Sequence, residues 1–319
     1  MVPFTVIVLG QKKAMKLLEF ESKFPDEATC RMRFKEIRDG IGVKCRNYGG
    51  FDHYYLDSRC QYKCKGCGYR TPLRRDTALY HTKMSFRSWF MAIHLMTATK
   101  KSMSAKEIQR QMGHNRYQPV WYMLHKLRII MGKRDSIYTL TDSVEIDEGF
   151  FERASDGEKE QKAGRGSNKT AKVLVMIESK TVKNPKKGKK PKKVSYLKMV
   201  HLYSLLKVEV TPEIEKGIDM ENTHAHTDGN PTYKCLKDKL KKGATQTVAY
   251  QTNICKVLPW VHTAIANAKS NFRGAYHCRF GEDYIQNYLN EFAYKFNRRR
   301  VKDVFEKLLN ISVLYNWCN

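Results

Sequence analysis

The chain has 319 residues, room for two or three compact units of about 100 to 150 residues each. Lys and Arg number 59 against 32 Asp and Glu, a formal net charge of +27, and a field of that size attracts polyanions by counterion release, so nucleic acid is the expected partner. No apolar run reaches the roughly eighteen residues a membrane span needs, and the opening MVPFTVIVLG lacks the charged start and small-residue cleavage site of a signal peptide. A membrane partner is therefore not expected, and the chain is assigned to the cytoplasm. Five of the nine cysteines (Cys30, Cys45, Cys60, Cys64, Cys67) fall in the first quarter, which suits metal binding in a reducing compartment better than a disulfide frame. Cys235, Cys255, Cys278 and Cys318 read as core or incidental residues.

In chain order, an amphipathic lead-in from Met15 to Cys30, with Leu17, Leu18, Phe20 and Phe24 apolar, precedes a stretch over 45–75 rich in Cys, Gly, Tyr and Arg. Residues 15–80 are read as a metal-stapled zinc-ribbon region. From Ser85 the apolar spacing turns helical through Phe86, Trp89, Phe90, Ile93 and Met96, and Ser104-Ala105-Lys106-Glu107 is a capping box that opens a second helix closed by Gly113. A third helix is expected from about Gln118, with Pro119 in its first turn and Val120, Met123, Leu124, Leu127, Ile130 and Met131 as its buried stripe. With Arg110, Arg116, Lys126 and Arg128 alongside, residues 84–134 read as a helix-turn-helix DNA-binding domain.

Beyond Asp142 come short apolar runs expected as strands: Val144 to Phe151, Val173 to Glu178, Tyr196 to Tyr203, Thr223 to Thr227 and Thr247 to Tyr250. Thr211-Pro212-Glu213 reads as a helix start, and the chain after Pro259 as helical, with Tyr284, Tyr288, Phe292 and Phe296 at every fourth position. Three strands, a helix, a fourth strand, a helix, a fifth strand and closing helices make a mixed α/β layer over 140–312, an order similar to that of an RNase H-like domain. Residues 180–193 hold eight lysines with Pro185, Gly188 and Pro191, a basic loop between the second and third strands.

Two sets of residues carry candidate chemistry. Zinc takes about four Cys or His ligands in a tetrahedron. Cys64-Lys65-Gly66-Cys67 offers one Cys-x-x-Cys turn, but Cys45-Arg46-Asn47-Tyr48 has tyrosine where a second sulfur is expected. Cys60 or His53 is then the fourth member beside Cys45, Cys64 and Cys67; without zinc, Tyr54, Tyr55 and Tyr62 would have to hold the fold. The second set is acidic. Asp147 lies within the apolar run Val144-Glu145-Ile146-Asp147-Glu148-Gly149-Phe150-Phe151, where a charge is costly unless a cation shares it. In Thr223-His224-Ala225-His226-Thr227-Asp228-Gly229-Asn230, alternation puts His224, His226 and Asp228 on one face, with Asp228 at the strand mouth. Two such carboxylates on adjacent strands can bridge divalent ions about 3.5 to 4 Å apart, as phosphoryl chemistry requires.

These stretches, with Pro259-Trp260-Val261-His262 and Tyr288-Leu289-Asn290-Glu291-Phe292 leading to Phe296-Asn297-Arg298-Arg299, give the chain, from about residue 15 to 310, a resemblance to bacterial insertion-sequence transposases of the DDE type with an N-terminal zinc ribbon. The resemblance implies a third metal ligand, commonly Glu, near the start of a helix 34 residues after Asp228, and a Lys or Arg seven further on. Those positions hold His262 and Lys269, an Asp-Asp-His-Lys variant, with Asn267 the rival third ligand. Imidazole suits Mn²⁺ better than Mg²⁺; His224 and His226 are candidates for supporting Asp228. The implied activity is cleavage and strand transfer at the ends of an insertion sequence, with Asp147, Asp228 and His262 holding Mg²⁺ or Mn²⁺, Lys269 positioning DNA and Zn²⁺ in the ribbon. The implied partners are terminal inverted repeats and target DNA, in a nucleoid-associated homo-oligomer. The competing expectations are a DNA-binding protein that has lost cleavage and a nuclease without strand transfer. Glu291 and Arg298 are expected to pack or to touch DNA.

Overall fold

The structure, a computed structural model, describes residues 15–152, 170–182, 192–247, 258–278 and 281–318. The chain divides into two compact units, one of residues 1–100 with 298–319 and one of residues 101–297, so the segment 84–134 is shared between them.

In the first unit the lead-in forms two helices, α1 (Leu17–Lys23) and α2 (Glu27–Ile41). Pro25 disfavours helix at Phe24, and Asp26 restarts it by accepting the Thr29 N–H at 2.7 Å. Phe20 and Phe24 enter the core, whereas Leu17 and Leu18 are exposed. After α2 come β1 (His53–Leu56), β2 (Gln61–Cys64) and β3 (Arg70–Pro72), an antiparallel sheet in that order. Helix α3 (Phe86–Ala98) starts at Ser85 as its cap predicts. The Glu27 carboxylate caps it further, accepting from Phe86 N and Arg87 N at 2.9 and 2.8 Å. Phe20, Phe24 and Phe90 pack around Phe305 of the closing helix Val304–Leu314.

The second unit opens with α4 (Ala105–Gln111) and α5 (Tyr117–Ser136). Ser104 Oγ accepts from Glu107 N at 3.1 Å, and Gly113, at φ +62°, makes the left-handed turn that ends α4. Two of the four basic residues expected at a DNA surface, Lys126 and Arg128, are buried; Arg110 and Arg116 are exposed. The strands are β4 (Leu140–Glu152), β5 (Thr170–Thr181), β6 (Lys192–Leu202), β7 (Ile218–Asp228) and β8 (Ala244–Thr247), in spatial order β6-β5-β4-β7-β8. The first three pair antiparallel, and β7 and β8 run parallel to β4. The ends of the expected basic loop, 180–181 and 192–193, belong to β5 and β6, while 183–191 and the stretch 248–250 of the expected fifth strand lie outside the described residues.

Helix α6 (Lys207–Gly217) begins four residues before the expected Thr211. Ser204 Oγ accepts the Leu206 N–H, and Glu209 accepts the Ser204 N–H, so the stop-and-start signal is upstream and Pro212 sits inside the helix, without an N–H for the Val208 carbonyl. Then follow α7 (Leu236–Lys239), α8 (Pro259–Tyr276), α9 (Ile285–Asn297) and, in the first unit, α10 (Val304–Leu314). One sheet face packs Phe151, Val173, Val175 and Ile177 against α8 and α9. The other packs Val144, Ile146, Leu174 and Met176 against α6 and Tyr233. The edge strand β6 is covered by α9: Asn297 bonds both the N–H and the carbonyl of Leu197, and Gln286 bonds His201 N and Met199 O, which satisfies groups a bare edge would offer to another chain.

Candidate functional site

Strands β4 and β7 register Glu145 beside His226 and Ile146 beside Thr227, so the next residues along, Asp147 and Asp228, meet where β7 ends. Gly229 and Asn230 turn the chain there: Asn230 N donates to Asp228 Oδ1 at 3.1 Å, and Asn230 Oδ1 caps the short turn Pro231–Tyr233. Carboxylate oxygens of Asp147, Glu148 and Asp228 lie within 4.8 Å of one another. Glu148 was not expected in this group, because strand alternation points it to the opposite face from Asp147. The turn after β7 brings Tyr233 under it, and Glu148 Oε1 accepts from Tyr233 Oη at 2.7 Å and Asn230 Nδ2 at 3.2 Å. Burial, with Glu148 beside it, holds the Tyr233 phenol protonated, far above its usual range. Asp147 Oδ1 accepts the Glu148 N–H at 2.8 Å.

His262 stands in the first turn of α8 with Nδ1 3.6 Å from Asp147 Oδ2. That is too long for a hydrogen bond, and burial depresses the imidazole pKa against the opposing pull of Asp228, so this is a neutral ring facing a carboxylate rather than an ion pair. Its Nε2 is buried without a hydrogen-bond partner among the described residues. Lys269 lies two turns further along α8, about 10 Å by helical rise, exposed at the rim of a cavity of about 110 Å³ with Phe150, Phe151 and Arg273. Asn267 is exposed on α8, roughly 140° around the helix from His262. His224 and His226 share the Asp228 face but serve β8 and the interior: His224 Nδ1 and Nε2 lie 2.7 and 2.8 Å from Lys242 O and Thr245 Oγ1, and burial first, then Lys192 and His224, lower His226 to about 4.

A hard, oxygen-rich set of three crowded carboxylates beside a neutral imidazole fits a divalent ion such as Mg²⁺ or Mn²⁺, because like charges so close repel unless a cation is shared.

Around the three-stranded sheet, ligand atoms of Cys45, His53 and Cys64 lie within 4.8 Å of one another, and Cys67 Sγ is 3.5 Å from Cys45 Sγ. Register explains this, since His53 pairs directly with Cys64 across β1 and β2. Cys60 is not brought to the group. It follows the turn Asp57–Arg59 at φ +49°, with its sulfur 3.4 Å from Arg31 Nη1 and 3.6 Å from Asp57 O. His53 Nδ1 bonds Phe51 O at 2.9 Å while Nε2 is buried with no partner among the described residues, the tautomer a metal-binding imidazole needs. Tyr48, where a sulfur was expected, donates its backbone N–H to Cys45 Sγ at 3.3 Å. Its ring lies where a Cβ on Gly66 would come within 2.7 Å, so a side chain there would have to displace the exposed Tyr48 ring. Burial raises the Cys45 thiol, but N–H groups of Tyr48 and Asn47 and the neighbouring thiols bring it down to about 7, which favours the thiolate that zinc takes. Cys30, by contrast, is a core residue of α2, pushed up to about 12 by burial.

No curated protein matches the chain. Two solved structures are similar at low identity: a pre-cleavage Mos1 transpososome, at 9% identity and a TM-score of 0.25 over 65% of this chain and 74% of that one, and a Mos1 transposase paired-end complex with left transposon end, at 10% and 0.27 over 67% and 75%. Residues 139–297 match the family described as the ISXO2-like transposase domain, a span that runs from the start of β4 to the end of α9 and contains Asp147, Glu148, Asp228, His262 and Lys269. That match supports an insertion-sequence transposase.

Proposed function

We propose that the protein cleaves the ends of an insertion sequence and transfers the freed strands to target DNA, on an RNase H-like core of the DDE type. The observation that carries this is the meeting of Asp147, Glu148 and Asp228 at the mouth of β7, inside the transposase domain and beside His262. The strand order β6-β5-β4-β7-β8, antiparallel then parallel, supports the RNase H-like reading. Asp147, Asp228 and His262 would hold Mg²⁺ or Mn²⁺, with Glu148 a further oxygen donor oriented by Tyr233 and Asn230. Bound divalent ions supply charge stabilisation for attacking and leaving oxygens at phosphorus. The chain's own part is to hold its carboxylates aimed, keep the His262 ring neutral, and offer the exposed Lys269 ammonium to a phosphate.

Purified protein incubated with DNA carrying both flanks of its gene, with Mg²⁺ or Mn²⁺, is expected to yield 3′-end cleavage and joined products, and His262→Ala to lose both. Binding without cleavage with either ion would leave an inactive DNA-binding protein, and cleavage without joining a nuclease.

The ribbon is read as a zinc site of Cys45, His53, Cys64 and Cys67. Metal analysis is expected to find one zinc per chain, kept in Cys60→Ser and lost in Cys64→Ser and His53→Ala; zinc lost from Cys60→Ser but kept by His53→Ala would reverse the assignment. DNA contact is assigned to the outer face of the ribbon, where Tyr54, Lys63 and Arg70 stand in one cross-strand row and Lys63 Nζ lies 5.5 Å from the Tyr54 ring, and to Arg110 and Arg116 at the α4–α5 turn. If Lys63 and Arg70 each neutralise a phosphate, Lys63→Ala/Arg70→Ala lowers the slope of log K against log salt by about 2. An unchanged slope in anisotropy titrations removes that face from the interface. Pairing two ends calls for an oligomer, and the net positive charge supports the reading of a protein associated with the bacterial nucleoid.

A further inference from the structure

We infer that Glu145 is a positioning residue: its carboxylate clamps the first turn of α8 onto β4 and thereby sets His262 against Asp147. The inference rests on the reading of those two residues as metal ligands.

A helix start leaves up to four N–H groups without partners, and α8 has no cap of its own. Leu258 occupies the cap position with no side-chain bond, and Pro259, at the first helical position, has no N–H. The next two donors, Trp260 N and Val261 N, both reach the same oxygen, Glu145 Oε2, at 2.8 and 2.9 Å. Glu145 is 5% exposed, between Val144 and Ile146 at 0%. A carboxylate so placed is costly to bury, and the two N–H groups with the positive end of the helix offset that cost.

The clamp lies next to the chemistry at both ends. Along β4, Glu145 and Asp147 are two residues apart and share a face; along α8, His262 directly follows Val261. The Glu145 bonds and the 3.6 Å approach of His262 to Asp147 therefore run side by side between the same strand and the same helical turn. A helix free to slide or rotate at its start carries His262 with it. A leucine at this position would leave the Trp260 and Val261 N–H groups without their acceptor, whereas a glutamine would keep one.

That contrast defines the test, on the full-length protein. Glu145→Leu is expected to stay folded with a melting temperature several degrees below wild type, because two N–H groups lose their acceptor, and Glu145→Gln to melt close to wild type. Without metal, its amide hydrogen exchange should accelerate at Trp260 and Val261 but not in the middle of α8. Mn²⁺ affinity, read by calorimetry, should fall about tenfold, the low end for residues that orient a ligand. Glu145→Gln, whose carbonyl oxygen can still accept both N–H groups, should restore exchange protection and bring Mn²⁺ affinity within about threefold of wild type. In a His262→Ala background, Glu145→Leu should cost no further affinity, because the two act through one another. Unchanged amide exchange in Glu145→Leu overturns the clamp, and unchanged Mn²⁺ affinity overturns its role in placing His262. If wild type itself binds no Mn²⁺, the ligand reading fails and the positioning role with it, while the metal-free exchange still shows whether the carboxylate holds the helix.

Discussion

Asp147→Asn is expected to abolish strand cleavage, by about 10³-fold or more, while leaving DNA binding intact and the metal-free protein at least as stable as wild type. The rate follows from the role: divalent ions contribute several kcal/mol of charge stabilisation at phosphorus, and losing about 4 kcal/mol of it is about 10³-fold. The stability follows from the geometry. Three carboxylates with oxygens within 4.8 Å of one another repel when no cation is shared, so neutralising one relieves the folded state. The corollary is a lost response to metal. An ion at one hundred times its dissociation constant stabilises wild type by about 2.7 kcal/mol through mass action, seen as a rise in melting temperature with Mn²⁺ that Asp147→Asn and Asp228→Asn should lack. Full cleavage by Asp147→Asn, or an equal rise with Mn²⁺, removes this residue from the site.

The second large effect lies away from the chemistry, in the buried pair between α5 and α9. Arg128 Nε donates to Glu291 Oε2 at 2.8 Å with both side chains 1% exposed, Tyr276 Oη donates to the same oxygen at 3.1 Å, and the guanidinium stacks on the Tyr288 ring at 4.4 Å. Glu291→Ala leaves a charge buried without its partner and is expected to cost about 3 to 5 kcal/mol in denaturant unfolding. The double replacement Arg128→Met/Glu291→Leu, which removes both charges, should recover most of that loss. The pH dependence has a definite sign. Burial raises the Glu291 carboxyl, but Arg128 and Lys295 outweigh it and hold it below its ordinary 4.5. A carboxylate depressed in the folded state contributes stability that is complete above its unfolded value and lost as pH falls through the folded one. Below about pH 4.5 wild type should therefore lose stability more steeply than the double variant. Parallel curves from pH 7 to 3 would contradict the assignment.

The same pair shows where reading along the chain stops being informative. Helix α5 is recognisable from its apolar stripe and Pro119, but Arg128 and Lys126 on it looked like phosphate contacts, because a cation in a basic segment is usually solvated. What buries Arg128 is a carboxylate 163 residues away, and no local pattern encodes that partner. Leu17 and Leu18 show the converse: apolar residues on a short helix that are exposed among the described residues.

Local patterning by itself determined the strands β4 to β7, because alternating or continuous apolar runs admit little else at that length. It also determined the starts of α3 and α4, because Ser85 and Ser104 satisfy donors within three residues of themselves. The two aspartates are legible for the same reason, alternation being a short-range rule, whereas His262 and Lys269 are singled out by the family resemblance, which local pattern alone does not supply. Tertiary structure alone decided the rest. It brought Glu148 to the acidic group through Tyr233, whose phenol returns beneath β4 after the turn that ends β7. It put His53 rather than Cys60 beside Cys45 and Cys64, since cross-strand register, not sequence spacing, sets which side chains face one another. And it gave Glu145 its helix to hold, because a buried carboxylate is stable only where donors from another element come to meet it.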